Sequence, residues 1–118
     1  MEASPSAMAS TIEFSQFAEC DMRVGTILSV QDLAEARQPA YVLDLDFGPL
    51  GILKSTAQIK ADHTKASLVG QQIVAVVNLP PKQVGNHTSR CLVLGAVHGD
   101  HVGLLSVPKS VPNGTRIH

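Results

Sequence analysis

Residues Gln71–Gly95 read QQIVAVVNLPPKQVGNHTSRCLVLG, and this stretch decides the architecture. It holds two apolar runs, Ile73–Val77 and Cys91–Leu94, both short and rich in β-branched residues. Runs of this length between breakers predict two buried strands. The connection between them resists regular structure, because Pro80 and Pro81 each lack an N–H and fix φ. Gly85 lets the chain turn back. Asn78, Lys82, Asn86, His87, Ser89 and Arg90 are therefore expected on or beside a loop held by a rigid wall, where binding residues concentrate.

Working outward, the rest of the chain reads as scaffold for that wall. Met22–Leu33 predicts a first strand with Met22, Val24, Leu28 and Val30 on one face and a bend or bulge at Gly25. Tyr41–Phe47 alternates: Tyr41, Leu43, Leu45 and Phe47 point one way, Val42, Asp44 and Asp46 the other. Gly48-Pro49-Leu50-Gly51 predicts a turn into a third strand, Ile52–Ile59, whose polar end reads as a surface edge. Asp62–Leu68 predicts a short helix stopped at Val69-Gly70. His98-Gly99-Asp100-His101 predicts a tight turn into a short sixth strand, Val102–Val107. Residues Thr11–Cys20, with Ser15 as the candidate cap, predict a short N-terminal helix, and Met1–Ser10 a flexible tail. Residues 11–118 are thus one domain. Its class is all-β with minor α: a barrel of five to six strands, with a short helix between the third and fourth and another near the N-terminus. That is the order of an oligonucleotide/oligosaccharide-binding (OB) barrel.

Composition narrows the function. A chain of 118 residues, 44% hydrophobic and 16% charged, buries a core without staples. Formal net charge is −1, but residues 1–62 carry four Lys and Arg against nine Asp and Glu, whereas residues 63–118 carry five against one. The second half can therefore present a basic face. Phe14, Phe17, Tyr41 and Phe47 are the only aromatic rings of that class, few for a protein that stacks nucleic-acid bases. Cys20 and Cys91 form no CxxC pair and read as free thiols in a reducing compartment. Met1–Thr11 lacks the pattern of a signal peptide and no window reaches a membrane span, which predicts a cytoplasmic protein without membrane contact.

Three constellations invite chemistry and have plainer explanations. His98 and His101 flank a Gly-Asp turn, so no metal site is expected. Asp44 and Asp46 share a strand face, which reads as solvated. No nucleophile elbow accompanies Ser55 or Ser89, so no catalytic residue and no cofactor are expected. Asn78, Lys82, Ser89 and Arg90 remain the best candidate site, with donors suited to phosphate, sugar or peptide groups. Lys82 and Arg90 are expected to face one groove together with Asn78 and Ser89.

The motifs also resemble a family. Asp21-Met22-Arg23-Val24-Gly25-Thr26-Ile27 resembles the opening motif of the tRNA-binding domains attached to some aminoacyl-tRNA synthetases. Asn78-Leu79-Pro80-Pro81-Lys82, with Gly85 and Ser89, is similar to its second motif. Glu35–Ala40, Asp46-Phe47-Gly48, Ser55–Ile59, Val76-Val77-Asn78, Leu92–Gly95 and Val111–Thr115 look like the stand-alone CsaA-type branch of secretion chaperones. The likeness runs from about Ile12 to the C-terminus. It implies a homodimer without catalysis or cofactor that binds unfolded or presecretory polypeptides and keeps a tRNA-binding surface; the alternative is a dedicated tRNA-binding module. Carried over, it places the nucleic-acid or polypeptide groove near Ser55, Gln58, Asn78, Lys82 and Ser89; Arg90, from the residue pattern, and Arg37 complete the candidate groove residues. It assigns Phe14, Phe17, Val111 and Ile117 to the dimer interface. The chain departs from the family at Thr26, where Lys is frequent, at Leu92, where Met is frequent, and at Arg90, where an acid is common.

Overall fold

The structure is a computed structural model that describes residues 7–33 and 39–118. A five-residue helix α1 (Phe14–Ala18) leads into the long strand β1 (Met22–Asp32). Strand β2 (Tyr41–Asp46), a 3₁₀ turn (Gly48–Leu50) and β3 (Ile52–Ala57) form the expected hairpin. Helix α2 (Lys65–Leu68) precedes β4 (Gln72–Val76). Then come β5 (Lys82–Val84), β6 (His87–Ser89), β7 (Leu92–Val93), β8 (Gly95–His98), β9 (His101–Leu104) and β10 (Arg116–Ile117). The main sheet runs β3-β2-β1-β4-β7, with β10 on β1, and β5–β6 and β8–β9 are separate antiparallel hairpins.

β1 organises the barrel because it is long enough to be shared. Its first half, Met22–Thr26, pairs with β4, and Thr26–Asp32 pairs with β2. Closure comes from β3 meeting the segment before β7: the Arg90 N–H donates to Lys54 O at 2.8 Å and the Thr56 N–H to Ser89 Oγ at 3.2 Å. The result is a nearly closed five-strand barrel with short helices. Its core holds Ile27, Tyr41, Leu43, Leu45, Phe47, Ile59, Leu68, Ile73, Ala75 and Cys91. Among the described residues no helix is long and apolar enough to cross a membrane.

Several local expectations are corrected. The register of β1 against β2 shifts between Ile27 and Ser29, so the bulge lies at Leu28 and not at Gly25. The extra residue turns Ile27 into the core and leaves Leu28 exposed. Gly25 instead permits close packing, since a Cβ there would lie 2.6 Å from Cε1 of Phe47. Val42 is buried on the opposite sheet face from Leu43, in a small cluster with Leu33, Ala40 and Val84. α1 begins at Phe14 after Glu13, whose N–H is capped by the Gln16 side chain at 2.8 Å, so Ser15 is not the cap. α2 begins at Lys65: Thr64 caps it by accepting from the Ser67 N–H. The fifth strand is divided into β7 and β8, and the sixth is β9, ending at Leu104. The Pro-rich connection is not all loop, because β5 and β6 form a hairpin there. Gly85 supplies φ +58° at the first central position of its two-residue turn, the requirement of a type II′ turn.

The C-terminal segment locks onto this frame. The Val24 N–H donates to Thr115 O and the Gly114 N–H to Val24 O. Gly114 has φ +91°, and a Cβ there would meet Phe47 O at 2.5 Å. The expected consequence of the tight Phe47 seat is testable. Gly25→Ala should lower stability by about 1–3 kcal/mol through overpacking, read as a lower urea midpoint at unchanged slope.

Candidate ligand-binding surface

The β5–β6 hairpin is the feature around which the candidate groups gather. Two things position it. Val84 packs into the small cluster with Leu33, Ala40 and Val42 on the outside of the barrel wall. At its base, Ser89 and Arg90 make the closing hydrogen bonds to β3. The register pairs Lys82 with Ser89 and Val84 with His87.

On one side of the hairpin lies an open cleft of about 940 Å³. Leu33, Val84, Leu92, Val93, Val97 and Val102 give it apolar walls, and Gln58, Lys60, Lys82 and Asp100 give it a polar edge. Leu92 and Val97 are exposed. On the other side lies a smaller depression of about 370 Å³, lined by Ile52, Lys54, Asn86, His87, Thr88 and Arg90. Lys82 and Arg90 thus border different concavities, contrary to the expectation of a shared groove. The reason is strand alternation: Ser89 pairs with Lys82, and Arg90, one residue on, takes the opposite face.

The remaining candidates divide by burial and bonding. Gln58 is exposed at the edge of the large cleft. Ser55 is fully buried, because alternation along β3 sends it inward. Its hydroxyl has no hydrogen-bond partner and lies beside Cys91, so it does not reach a surface ligand. Burial pushes the Cys91 thiol up to about 12, which keeps it protonated and unreactive. Ser89 Oγ accepts from Thr56 N–H and donates to Cys91 O at 3.3 Å. Asn78 Oδ1 accepts from the Asp21 N–H at 2.9 Å, and Asn78 Nδ2 donates to Glu19 O at 2.6 Å. Its amide therefore ties the end of β4 to the segment between α1 and β1. Arg37 lies outside the described residues, as do Glu35 and Ala36 of the same connection.

At the chain ends, Phe14 is 78% exposed and Ile12 58% exposed. The Phe14 and Phe17 rings meet with centroids 5.9 Å apart. Val111 is half-buried and held through its backbone by Gln72, which donates to Val111 O at 2.7 Å and accepts from its N–H. Ile117 pairs with Met22 in β10. The polar knot of Gln72, Asn113 and Thr26 that fixes this segment carried no sequence signal, since each residue is unremarkable alone.

Ion pairing decides which cations are free. Asp32 takes Lys60 at 2.9 Å and Lys65 at 2.8 Å, Asp44 takes Lys54 at 2.8 Å, and Asp21 takes Arg23 at 2.6 Å. The ammonium groups of Lys60 and Lys65 push the Asp32 carboxyl down to about 2. Lys54, with help from the Ser29 hydroxyl, holds Asp44 below its ordinary value. Among the described residues Lys82, Arg90 and Lys109 have no carboxylate within 4 Å. No group of three or more His, Cys, Asp or Glu is arranged for a metal among them.

Comparisons with known proteins agree with this architecture. The tRNA_bind family model, a tRNA binding domain, matches residues 22–116. The methionine–tRNA ligase of Thermococcus onnurineus (strain NA1) is 34% identical over 106 residues, which is 90% of this chain but 14% of the ligase. The chain therefore spans about one-seventh of the curated relatives of this kind. Chaperone CsaA of Bacillus anthracis is 44% identical, with a TM-score of 0.88 over 92% of this chain and 100% of that one. CsaA of Picrophilus torridus is 43% identical with a TM-score of 0.85 and the same coverage. A MetRS related protein from Pyrococcus horikoshii is 25% identical, with a TM-score of 0.83 over 93% of this chain and 100% of that one.

Asp32 provides a test of the charge arrangement. Its folded value is depressed from about 3.9 in the unfolded chain, so its stabilisation is complete above that value and is lost as pH falls through about 2. An NMR titration should find it ionised to about pH 2. Asp32→Asn should release Lys60 and Lys65 and strengthen binding to heparin. Unchanged heparin affinity would show that these two lysines do not reach a polyanion.

Proposed function

As the chain belongs to the tRNA-binding domain family, we propose that it is a non-catalytic binding protein, a CsaA-like chaperone for unfolded or presecretory polypeptides with a tRNA-binding surface. The observation that carries this reading is the large cleft, apolar along its walls and bordered by Lys82, which has no carboxylate partner among the described residues. Apolar walls suit side chains of an extended polypeptide, which gains from burial and loses little in salt. A free ammonium at the rim suits phosphate oxygens, and gives no base specificity. Full-length likeness to the CsaA structures supports the polypeptide role. The ligase relatives favour a second reading, a dedicated tRNA-binding module, because there this sequence matches a small part of a synthetase. The cellular site in either reading is the cytoplasm.

The two roles separate by salt. Binding of tRNA should weaken as salt rises, by about 0.7 log unit of affinity per log unit of salt for each single-strand phosphate contact. Binding of a reduced, unfolded polypeptide should change little. Lys82→Ala should remove about one such contact from the tRNA slope and leave polypeptide affinity nearly unchanged. A chain that binds tRNA but no unfolded polypeptide at any salt would leave the module reading alone standing.

We also propose a homodimer built from the chain ends. Its support is the exposure of Phe14 and Ile12 on an α1 segment that buries none of its residues. Val111 and Ile117 lie in the other end segment assigned to the interface. A stable two-fold interface buries roughly 1,200 Å² or more in total, and the symmetry would place each Phe14 against the partner's equivalent surface. Sedimentation at micromolar concentration should give a dimer that Phe14→Ser weakens. A monomeric parent protein would overturn it.

A further inference from the structure

We propose that the β8–β9 hairpin is docked on the barrel by a proton-sensitive clamp, in which Asp62 and His63 grip both backbone groups of Val102 and hold them more tightly when the imidazole is charged. The inference goes beyond the binding reading and stands whichever ligand the cleft takes. Val97, Gly99, Asp100 and Val102 of this hairpin form one wall of the large cleft. The clamp therefore sets how firmly that wall is fixed.

The hairpin depends on such a tie. It is a separate two-stranded sheet, β8 is exposed along its whole length, and Val102 and Leu104 of β9 are only partly buried against the core. At its base the Val74 N–H donates to Leu105 O and the Leu105 N–H to Leu94 O. Further out, among the described residues, its hydrogen bonds to the barrel are the two at Val102. The Val102 N–H donates to Asp62 Oδ2 at 3.0 Å, and Val102 O accepts from His63 Nε2 at 2.6 Å. The Tyr41 hydroxyl donates to His63 O at 2.8 Å, which ties the clamp to β2.

The chemistry of the ring makes this grip depend on pH. A carbonyl oxygen only accepts, so Nε2 carries its hydrogen whether the ring is neutral or charged. A second proton goes to Nδ1 and makes the bond to Val102 O charge-assisted, hence stronger. It also sets an imidazolium 3.6 Å from Asp62 Oδ1, with both side chains largely shielded from solvent. His101 of β9 adds a weaker attraction: its Nδ1 lies 3.5 Å from Asp62 Oδ2, but its side chain is 77% exposed. Lys60 and Lys65 are turned to Asp32, while His98, opposite His101, and Asp100 are exposed at the hairpin turn. Burial alone would raise the Asp62 carboxyl, yet the Val102 N–H and the two imidazoles hold it below its ordinary value. Asp62 thus keeps its charge throughout the range in which imidazoles titrate, about pH 5 to 8. By linkage, docking is tightest with Asp62 ionised and the imidazole protonated, and it loosens as pH rises through that range.

The test is amide hydrogen exchange of the full chain, followed by NMR at about pH 6 and about pH 8, on either side of the imidazole range, with each rate compared to the intrinsic rate at that pH. The Val102 N–H should be about three- to fivefold better protected at the lower pH, which is what a partly exposed ion pair is worth. The Ile27 N–H, bonded to Gln71 O, should stay level. The His63 ring signals should titrate along the same curve as Val102 protection. His63→Gln puts a neutral amide donor in place of the ring, so Val102 should stay protected and lose most of its pH dependence. Asp62→Asn should lower Val102 protection at both pH values, because the charged acceptor is gone. Equal Val102 protection at the two pH values in the parent chain would overturn the inference. So would a His63→Gln variant that keeps the parent's full pH dependence.

Discussion

Everything in this fold leans on the seat of Phe47 against Gly25. Phe47 follows β2 directly with its ring fully buried, and the ring occupies the place where any larger residue at 25 would put its Cβ. The same residue offers its carbonyl oxygen to the space above Gly114, so the C-terminal segment closes down on it from outside. Three stretches far apart in sequence therefore meet at one residue. With β1 fixed there, its two edges are committed, one to β2 and one to β4. The exit of β4 is thereby fixed, and with it the point from which the Pro80-Pro81 turn and the β5–β6 hairpin leave the barrel.

The hairpin is not an appendage to a finished barrel, because the residues that close the barrel are the ones that root the hairpin. Arg90 N–H to Lys54 O and Thr56 N–H to Ser89 Oγ are few bonds for a seam. Segments with sparse hydrogen bonding open at lower cost than the core around them. A ligand bound across the hairpin and β3 would tighten this seam, and stabilisation on binding follows by mass action. Ser55 sits under the same seam with an unpartnered hydroxyl beside the Cys91 thiol.

The sequence made the barrel legible where alternation and burial coincide. Tyr41–Phe47 shows its two faces without help, and the helix before β4 stops at Gly70 as its sequence predicts, though it starts later, behind the Thr64 cap. Legibility fails where a structure depends on one residue's offset or on partners distant in sequence. Leu28 and Ile27 exchange roles because of a bulge that no residue type announces. Ser55 is polar, and a polar strand end reads as a surface, yet the strand period sends it inward. The β5–β6 hairpin has three-residue strands with mixed polarity, too short to carry a pattern. Asn78 reads as a ligand group because amides suit ligands, whereas here it grips the segment between α1 and β1 at two residues, 57 and 59 positions away. Lys82 and Arg90 look alike in a list of cations, and only the pairing register separates their faces.

Charge shows most directly how folding edits the sequence. The acidic first half and basic second half do not remain apart: Asp32 pairs with Lys65 and Asp21 approaches Arg116. Folding thus pairs two of the five cations of the second half with carboxylates of the first. Among the described residues the cations left unpaired are Lys82 and Arg90 on either side of one hairpin, and Lys109. A protein with a formal net charge of −1 can therefore present positive charge locally without any global attraction for polyanions. Such a surface gains affinity only through contacts made at short range, since charges beyond about 8 Å are screened at physiological salt. Two cations on opposite faces cannot neutralise one phosphate together. They can hold a strand that crosses the hairpin, and the division of the surface into two concavities follows from that placement.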